Sequence, residues 1–396
     1  MPSRRTRRSV LAAAGLTALA GCTSFLRDDD QSRGGTVTGD GFSNSEFGSD
    51  ATARMVRYDA ANTGTAAGSS GPSASPDEQW ATERTLGSPA RPTVLGETVF
   101  TNAVNGLSGV TADGERRWAY DPRESELNPA PVTVVRDRLY ATRSSAVFAL
   151  DARTGEERWV VAPPVETNRL TAPAVADDTV YVVGQHPERP QTLWALATVD
   201  GSVRWRVALG GESAGPPVLA DGRAYCVTTD GGLYAIATGE EAVAWQESLD
   251  PAVGPPAATA DGVFAGTRTG VVCYDADGAE RWRAPDTTAF DSPHDGPVLD
   301  DATVYAAGPD GASLVALATD TGEERWRASL SGAPRSPVPA TDALYVQDST
   351  GRLAARSRAD GSADWSTRLA LRSMTGLTVG DDGLFVGADE RLLRYD

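Results

Sequence analysis

The chain has 396 residues, with 54 acidic against 36 basic side chains and a formal net charge of −18. Every basic residue is Arg, and there is no Lys. So acidic a chain argues against nucleic acid or an anionic membrane surface as a partner, and leaves cationic or neutral partners open. The two His and three Cys form no cluster with metal-ligand spacing, so no metal site is expected.

The chain begins with Arg4, Arg5, Arg7 and Arg8 and continues into an apolar run from Val10 to Ala20. That run is too short to span a bilayer comfortably and reads as a signal peptide over residues 1–21. Arg7-Arg8-Ser9-Val10-Leu11 resembles a twin-arginine export signal, with Arg7 and Arg8 as its pair. Leu19-Ala20-Gly21-Cys22 resembles a lipobox, which implies cleavage before Cys22 and lipid attachment there. The expected location is therefore the extracellular face of the cytoplasmic membrane, anchored by lipid. Removing residues 1–21 would make the chain more acidic still, because four Arg and no carboxylate leave with them.

Residues 22–76 are rich in Ser, Gly, Thr, Asp and Ala and poor in large apolar groups. Such a composition cannot offset the entropy of ordering, so a flexible tether is expected. One island departs from it: residues 55–64, Met-Val-Arg-Tyr-Asp-Ala-Ala-Asn-Thr-Gly. This segment is expected to dock on one face of the domain formed by residues 77–396.

From residue 77 the chain repeats. Trp80, Trp118, Trp159, Trp205, Trp245, Trp282, Trp326 and Trp365 are spaced by 37 to 46 residues, and Trp194 alone falls off that register. In phase with them run apolar–aromatic pairs such as Leu139-Tyr140, Val180-Tyr181 and Val304-Tyr305. A Pro precedes a short apolar run in each unit, as at Pro131, Pro256 and Pro297; Gly376 replaces it in the last. Each unit holds four short strands separated by Gly- and Asp-rich turns that suit tight hairpins. Four strands repeated every 40 residues or so indicate an all-β, eight-bladed β-propeller of four-stranded antiparallel blades over 77–396. The chain ends three strands into its last unit and begins with one spare Trp strand, Asp77 to Leu86. That N-terminal strand is expected to complete the last blade and close the ring.

The stretch Phe148 to Trp159 carries a resemblance. Ala149, Asp151, Thr154, Gly155 and Trp159 match in full the tryptophan-docking motif of the PQQ-like, quinoprotein-type propellers. Ala316, Thr321, Gly322 and Trp326 match it without the Asp. The Gly-x-x-x-Trp core recurs at Gly114, Gly201, Gly278 and Gly361, whereas the fourth unit departs from it, with Gly239 six residues before Trp245. The resemblance implies that each Trp is a staple between blades, packing near a Gly of its neighbour. The island at 55–64 resembles a segment that precedes the propeller in exported PQQ-like proteins of halophilic archaea. The acidic, Lys-free composition is similar to that of extreme halophiles.

Active members of the wider group hold PQQ and calcium in a funnel, with a carboxylate base and a disulfide of adjacent cysteines. This chain has no adjacent Cys and little room for long funnel loops, so no cofactor is expected; PQQ with calcium is the alternative. Cys226 and Cys273 have apolar neighbours and read as buried small hydrophobes. Asp177-Asp178, Asp300-Asp301 and Asp381-Asp382 look like carboxylate pairs but fall at equivalent turns. Two loops exceed the repeat, Gly184 to Gln191 and Ala284 to Gly296, and their His186 and His294 are the candidate binding residues. The expectation is a non-catalytic, monomeric scaffold or binding module for an envelope or membrane protein. The alternative is a PQQ-dependent dehydrogenase or a small-ligand-binding redox protein. The functional analogy is the PQQ-like lipoprotein of the bacterial outer-membrane assembly machine.

Overall fold

The computed structural model describes residues 36–39, 57–62, 64–66, 68–82, 90–103, 106–121, 130–143, 145–162, 169–185, 190–290, 295–371, 374–380 and 383–396. They form eight antiparallel sheets, six of them built wholly from strands that follow one another in sequence. In blade 1 the strands run from the innermost, Thr93–Leu95, through Thr98–Ala103 and Gly106–Thr111 to the outermost, Arg116–Asp121. Blades 2 to 7 repeat this order, with innermost strands at Thr133–Val135, Ala174–Ala176, Val218–Ala220, Ala257–Thr259, Val298–Asp300 and Val338–Pro339. The architecture is the expected eight-bladed propeller.

Burial follows position within the blade. The two middle strands are covered on both faces by neighbouring blades, so they are mostly apolar and buried almost throughout. In blade 6, Thr303–Ala307 and Ser313–Ala318 are buried at every residue. The outermost strand meets water, and Glu324–Ser329 buries only Trp326 and Ala328. Two-residue hairpins join the first and second strands, as between Ala176 and Thr179 or Asp300 and Thr303. Asp177, Asp221 and Asp301 take positive φ there, a conformation that Asp tolerates better than most side chains.

Blade 8 closes the ring. It consists of Met374–Val379, Leu384–Ala388, Arg391–Tyr395 and, as its outermost strand, Glu78–Ala81 from the other end of the chain. The last two are antiparallel, with Glu78 opposite Tyr395 and Ala81 opposite Leu393. Asp77 and Asp396 exchange backbone hydrogen bonds at the end of the ladder.

Two elements differ from the reading of the sequence. Residues 36–39 lie within the stretch whose composition suggested a tether, yet Thr36–Gly39 adds a fifth strand to the outer edge of blade 1. Val37 packs against the cluster of Phe100, Trp118 and Tyr120. Four residues are too few to register in a composition average, and their partner strand lies some 80 residues away. In blade 3 a short extra strand, Arg169–Leu170, pairs with the far end of Thr179–Gln185.

Candidate functional site

The eight repeat Trp residues all stand on outermost strands, and each meets the aromatic marker of its own blade at 5.7 to 6.2 Å between ring centroids. Six of the rings also reach forward to the next blade. The indole N–H of Trp118 donates to the Ala152 carbonyl at 2.9 Å, and that of Trp282 to Thr319 at 2.9 Å. Trp80, Trp159, Trp245 and Trp326 do the same to Ala112, Thr198, Ala276 and Arg358. The ring lies on the next blade's Gly. A Cβ on Gly155 would stand 2.7 Å from the Trp118 ring, and one on Gly322 would stand 2.5 Å from Trp282. No side chain fits there, which is why the motif needs Gly.

Two seams depart from this rule. In blade 4 the Gly position is occupied by Glu241, at φ +58, whose N–H donates to Ala237 as the Gly N–H does elsewhere. Trp205, which faces this turn, makes no indole hydrogen bond among the described residues. Trp365 meets the junction of the two chain ends, where no blade turn exists. Its indole donates instead to Pro72 at 3.1 Å, so the N-terminal segment completes that seam.

Asp151 is 1% exposed and accepts bonds from the N–H groups of Arg153 and Thr154. Burial alone would raise its pKa; the Arg158 guanidinium and those two N–H groups outweigh burial and hold the carboxyl below its ordinary value. Its place is structural, at the motif turn. Asp178 pairs with the exposed Arg204 at its hairpin, and Asp300 with Arg358 at 3.3 Å. Cys226 and Cys273 are buried free thiols, each pushed up to about 12 by desolvation. Trp194 is fully buried under Arg206, whose guanidinium sits 5.2 Å from its ring centre. His186, His294, Asp381, Asp382, Arg7, Arg8 and Cys22 lie outside the described residues. Among the described residues no group of three or more His, Cys, Asp or Glu is placed to hold a metal. Nor is any helix among them long and apolar enough to cross a membrane.

The axis of the ring is where residues distant in sequence converge. Thr378, Thr93 and Thr133 occupy the same position in the innermost strands of blades 8, 1 and 2. Each hydroxyl donates to a carbonyl at the start of the next innermost strand: Thr378 to Pro92 at 2.7 Å, Thr93 to Val132 at 2.9 Å and Thr133 to Pro173 at 2.6 Å. In blades 3 to 7 the equivalent residues are Ala174, Val218, Ala257, Val298 and Val338, which have no hydroxyl.

Residues 57–62, 64–66, 68 and 69 run along this second arc. The N–H groups of Leu219 and Ala258 donate to the carbonyls of Ala60 and Ala61 at 2.6 and 2.9 Å. Asn62 Nδ2 donates to the Pro256 carbonyl at 2.7 Å and Arg57 Nη2 to Pro297 at 2.9 Å. Thr65 reaches Leu299, and Ala66 N donates to Pro339 at 2.7 Å. Tyr58 Oη accepts from the N–H of Val379 at 2.6 Å. The segment thus touches the innermost strands of five blades, 4 to 8. Asn62 and Arg57 saturate the very carbonyls that the Thr residues saturate elsewhere. The island at 55–64 was expected to dock on one face of the domain, and its residues 57–62 do bond to the blades. Its course along the axis is not announced locally, although Thr at the marker position in three units and its lack in the other five is a legible trace.

Arg91, which precedes blade 1, meets Asp295, which precedes blade 6, at 3.7 Å, with both side chains nearly buried. A cleft of about 510 Å³ opens between blades 5 and 6, lined among others by Asp59, Thr65, Asp261, Arg281, Asp301 and Asp320.

The fold and its seams define a tryptophan-docked, eight-bladed propeller with its own N-terminal segment laid along the axis. The chain belongs to the family described as outer membrane protein assembly factor BamB, which it matches over residues 73–185, 143–367 and 267–393. It is 27% identical over 278 residues to a Yersinia pestis protein of that name, covering 64% of this chain and 70% of the relative. With the Bordetella pertussis protein of the same name it shares 26% over 382 residues, or 90% and 88% of the two chains. The crystal structure of BamB from Moraxella catarrhalis superposes with a TM-score of 0.62 at 20% identity, over 82% of this chain and 98% of that one. Quinohemoprotein alcohol dehydrogenase from Comamonas testosteroni gives 0.65 at 12% identity, over 86% and 80%, a likeness of fold alone.

Proposed function

We propose that this chain is a non-catalytic propeller, lipid-anchored through Cys22 after twin-arginine export, that serves as a scaffold for an envelope or membrane protein. The observation that carries the reading is the course of residues 57–69 along the innermost strands. In a catalytic propeller of this fold the axis receives cofactor and substrate; here a backbone-bonded segment of the chain itself lies along five of the eight blades. The family relationship supports a role in assembly, since its relatives bear the name of assembly factors. The halophile-like acidity suits a protein working in concentrated salt, where a short screening length suppresses repulsion between carboxylates.

Crosslinking of the anchored protein in intact membranes at high salt tests this reading. A single envelope or membrane protein recovered in stoichiometric yield is the expected result. Sustained dye-linked alcohol or glucose oxidation after reconstitution with PQQ and calcium would overturn it. The anchor has its own test: Cys22→Ser should move the protein from the membrane to the soluble fraction.

The cleft between blades 5 and 6 favours a second reading, a small polar ligand bound beside the segment. Its carboxylates select a cationic or hydroxylated molecule, and a thermal-shift screen with such compounds would reveal one.

A further inference from the structure

Arg57 has a side chain that its surroundings do not satisfy. It is fully buried, at 0% exposure. Nη2 donates to the Pro297 carbonyl, but Nε and Nη1 have no hydrogen-bond partner. A guanidinium offers five N–H donors and accepts nothing, so its unmet demand is for an acceptor. Burial lowers its pKa to about 10, which still leaves it charged at neutral pH.

The charges around it do not meet that demand. Asp295 attracts it, Arg91 repels it, and Asp59 attracts it more weakly. Asp59 is partly exposed and lines the open cleft, whereas Arg91 and Asp295 are each only 9% exposed. Among the described residues, two guanidiniums and one carboxylate are buried together, with Asp59 at the edge of the group. Asp295 stands 3.7 Å from Arg91, beyond hydrogen-bond length. The backbone presses the two cations into place. A Cβ on Gly376 would stand 2.5 Å from Arg91 Nε, and one on Gly64 would stand 2.8 Å from Arg57 Nη2. A buried guanidinium with unused donors is costly unless an acceptor joins it.

We propose that a small monovalent anion, a carboxylate or a halide, binds at the axis between the guanidinium groups of Arg57 and Arg91. The planar forks of two Arg residues match a carboxylate best, since each oxygen can accept from a separate fork. The anion would tie the N-terminal segment, through Arg57, to blade 1, through Arg91. Blade 1 lies on the arc that the segment does not otherwise reach, so occupancy stabilises the whole ring rather than one seam. The site is independent of whether the protein is a scaffold.

The test is thermal melting of the full chain at constant ionic strength, with gluconate progressively replaced by formate, acetate, chloride or bromide. A saturable rise in Tm is expected with the small anions, as for any ligand that binds only the folded state. The anion that saturates at the lowest concentration distinguishes carboxylate from halide. In Arg91→Gln the half-saturation point should move at least about tenfold. Crystals grown in bromide supply a measurement that does not depend on a variant folding, and anomalous density is expected between Arg57 and Arg91. An equal rise in Arg91→Gln, or no saturable rise at all, would overturn the proposal. So would bromide found on surface arginines alone, an adventitious ion only.

Discussion

Glu241 shows how much one position in the repeat matters. It stands where six other docking turns have Gly, at a positive φ that a side chain other than Gly, Asn or Asp adopts at a cost. The variant Glu241→Gly removes that strain and frees the surface on which Trp205 could lie as its counterparts do. It should stabilise the protein by about 1 kcal/mol in chemical denaturation, and a loss of stability would refute this account of the seam. Asp151 behaves in the opposite way. Its carboxyl titrates below the ordinary value of 3.8 in the folded chain, so its stabilising contribution is complete above that pH and disappears as pH falls through the folded value. Asp151→Asn should cost about 2 kcal/mol near pH 7, the usual scale for hydrogen bonds to a charged group. That cost should shrink steadily below about pH 4, where wild type and variant converge. A cost that does not vary with pH would mean that the turn, not the charge, is what the substitution damages.

Among elements, the added strand Thr36–Gly39 is held lightly. It caps the edge of blade 1 through a short ladder and one apolar side chain, Val37. Gly39 has φ +125, and a Cβ there would meet the Arg117 carbonyl at 2.0 Å, so only Gly permits this approach. Gly39→Val should unseat the strand while leaving the ring intact. Hydrogen exchange would then show faster exchange at amides of Arg116–Asp121, with the global melting temperature moved by no more than a few degrees. Loss of protection throughout the ring would show instead that the strand is part of the cooperative unit. The segment 57–69 is of another kind, because its bonds saturate buried carbonyls and N–H groups that have no alternative partner on the axis.

For the molecule as a whole the decisive feature is closure. Deleting residues 1–76 leaves Glu78–Ala81 able to complete blade 8, whereas deleting 1–82 exposes the edge of Arg391–Tyr395. Both variants lose the axial segment, so their difference isolates the closing strand. The first should be a less stable monomer; the second should associate through its unpaired edge. Light scattering distinguishes them, and identical behaviour would mean that the ring is held shut by blade packing alone.

Fold and candidate site differ in how legible they were, for a physical reason. A blade is a local object: its hairpins join neighbours in sequence, its Trp and aromatic partner lie within one unit, and its turns need Gly or Asp for their own backbone angles. Trp118 and Trp159 could therefore be picked out from spacing, their docking on Gly155 and its equivalents from the resemblance to the family motif, and the spare strand at Glu78–Ala81 from simple counting of strands. The axis is made of contacts between residues hundreds of positions apart. Arg57 meets Pro297, Tyr58 meets Val379, and Arg91 meets Asp295 across the ring. No period or motif records such pairs, since the energy that selects them is the saturation of buried donors and acceptors brought together only when eight blades close. The sequence by itself determined the blade, its number and the place where the ends join; what lies along the axis was decided by tertiary structure, where leaving a buried polar group unpaired costs more than any local preference supplies.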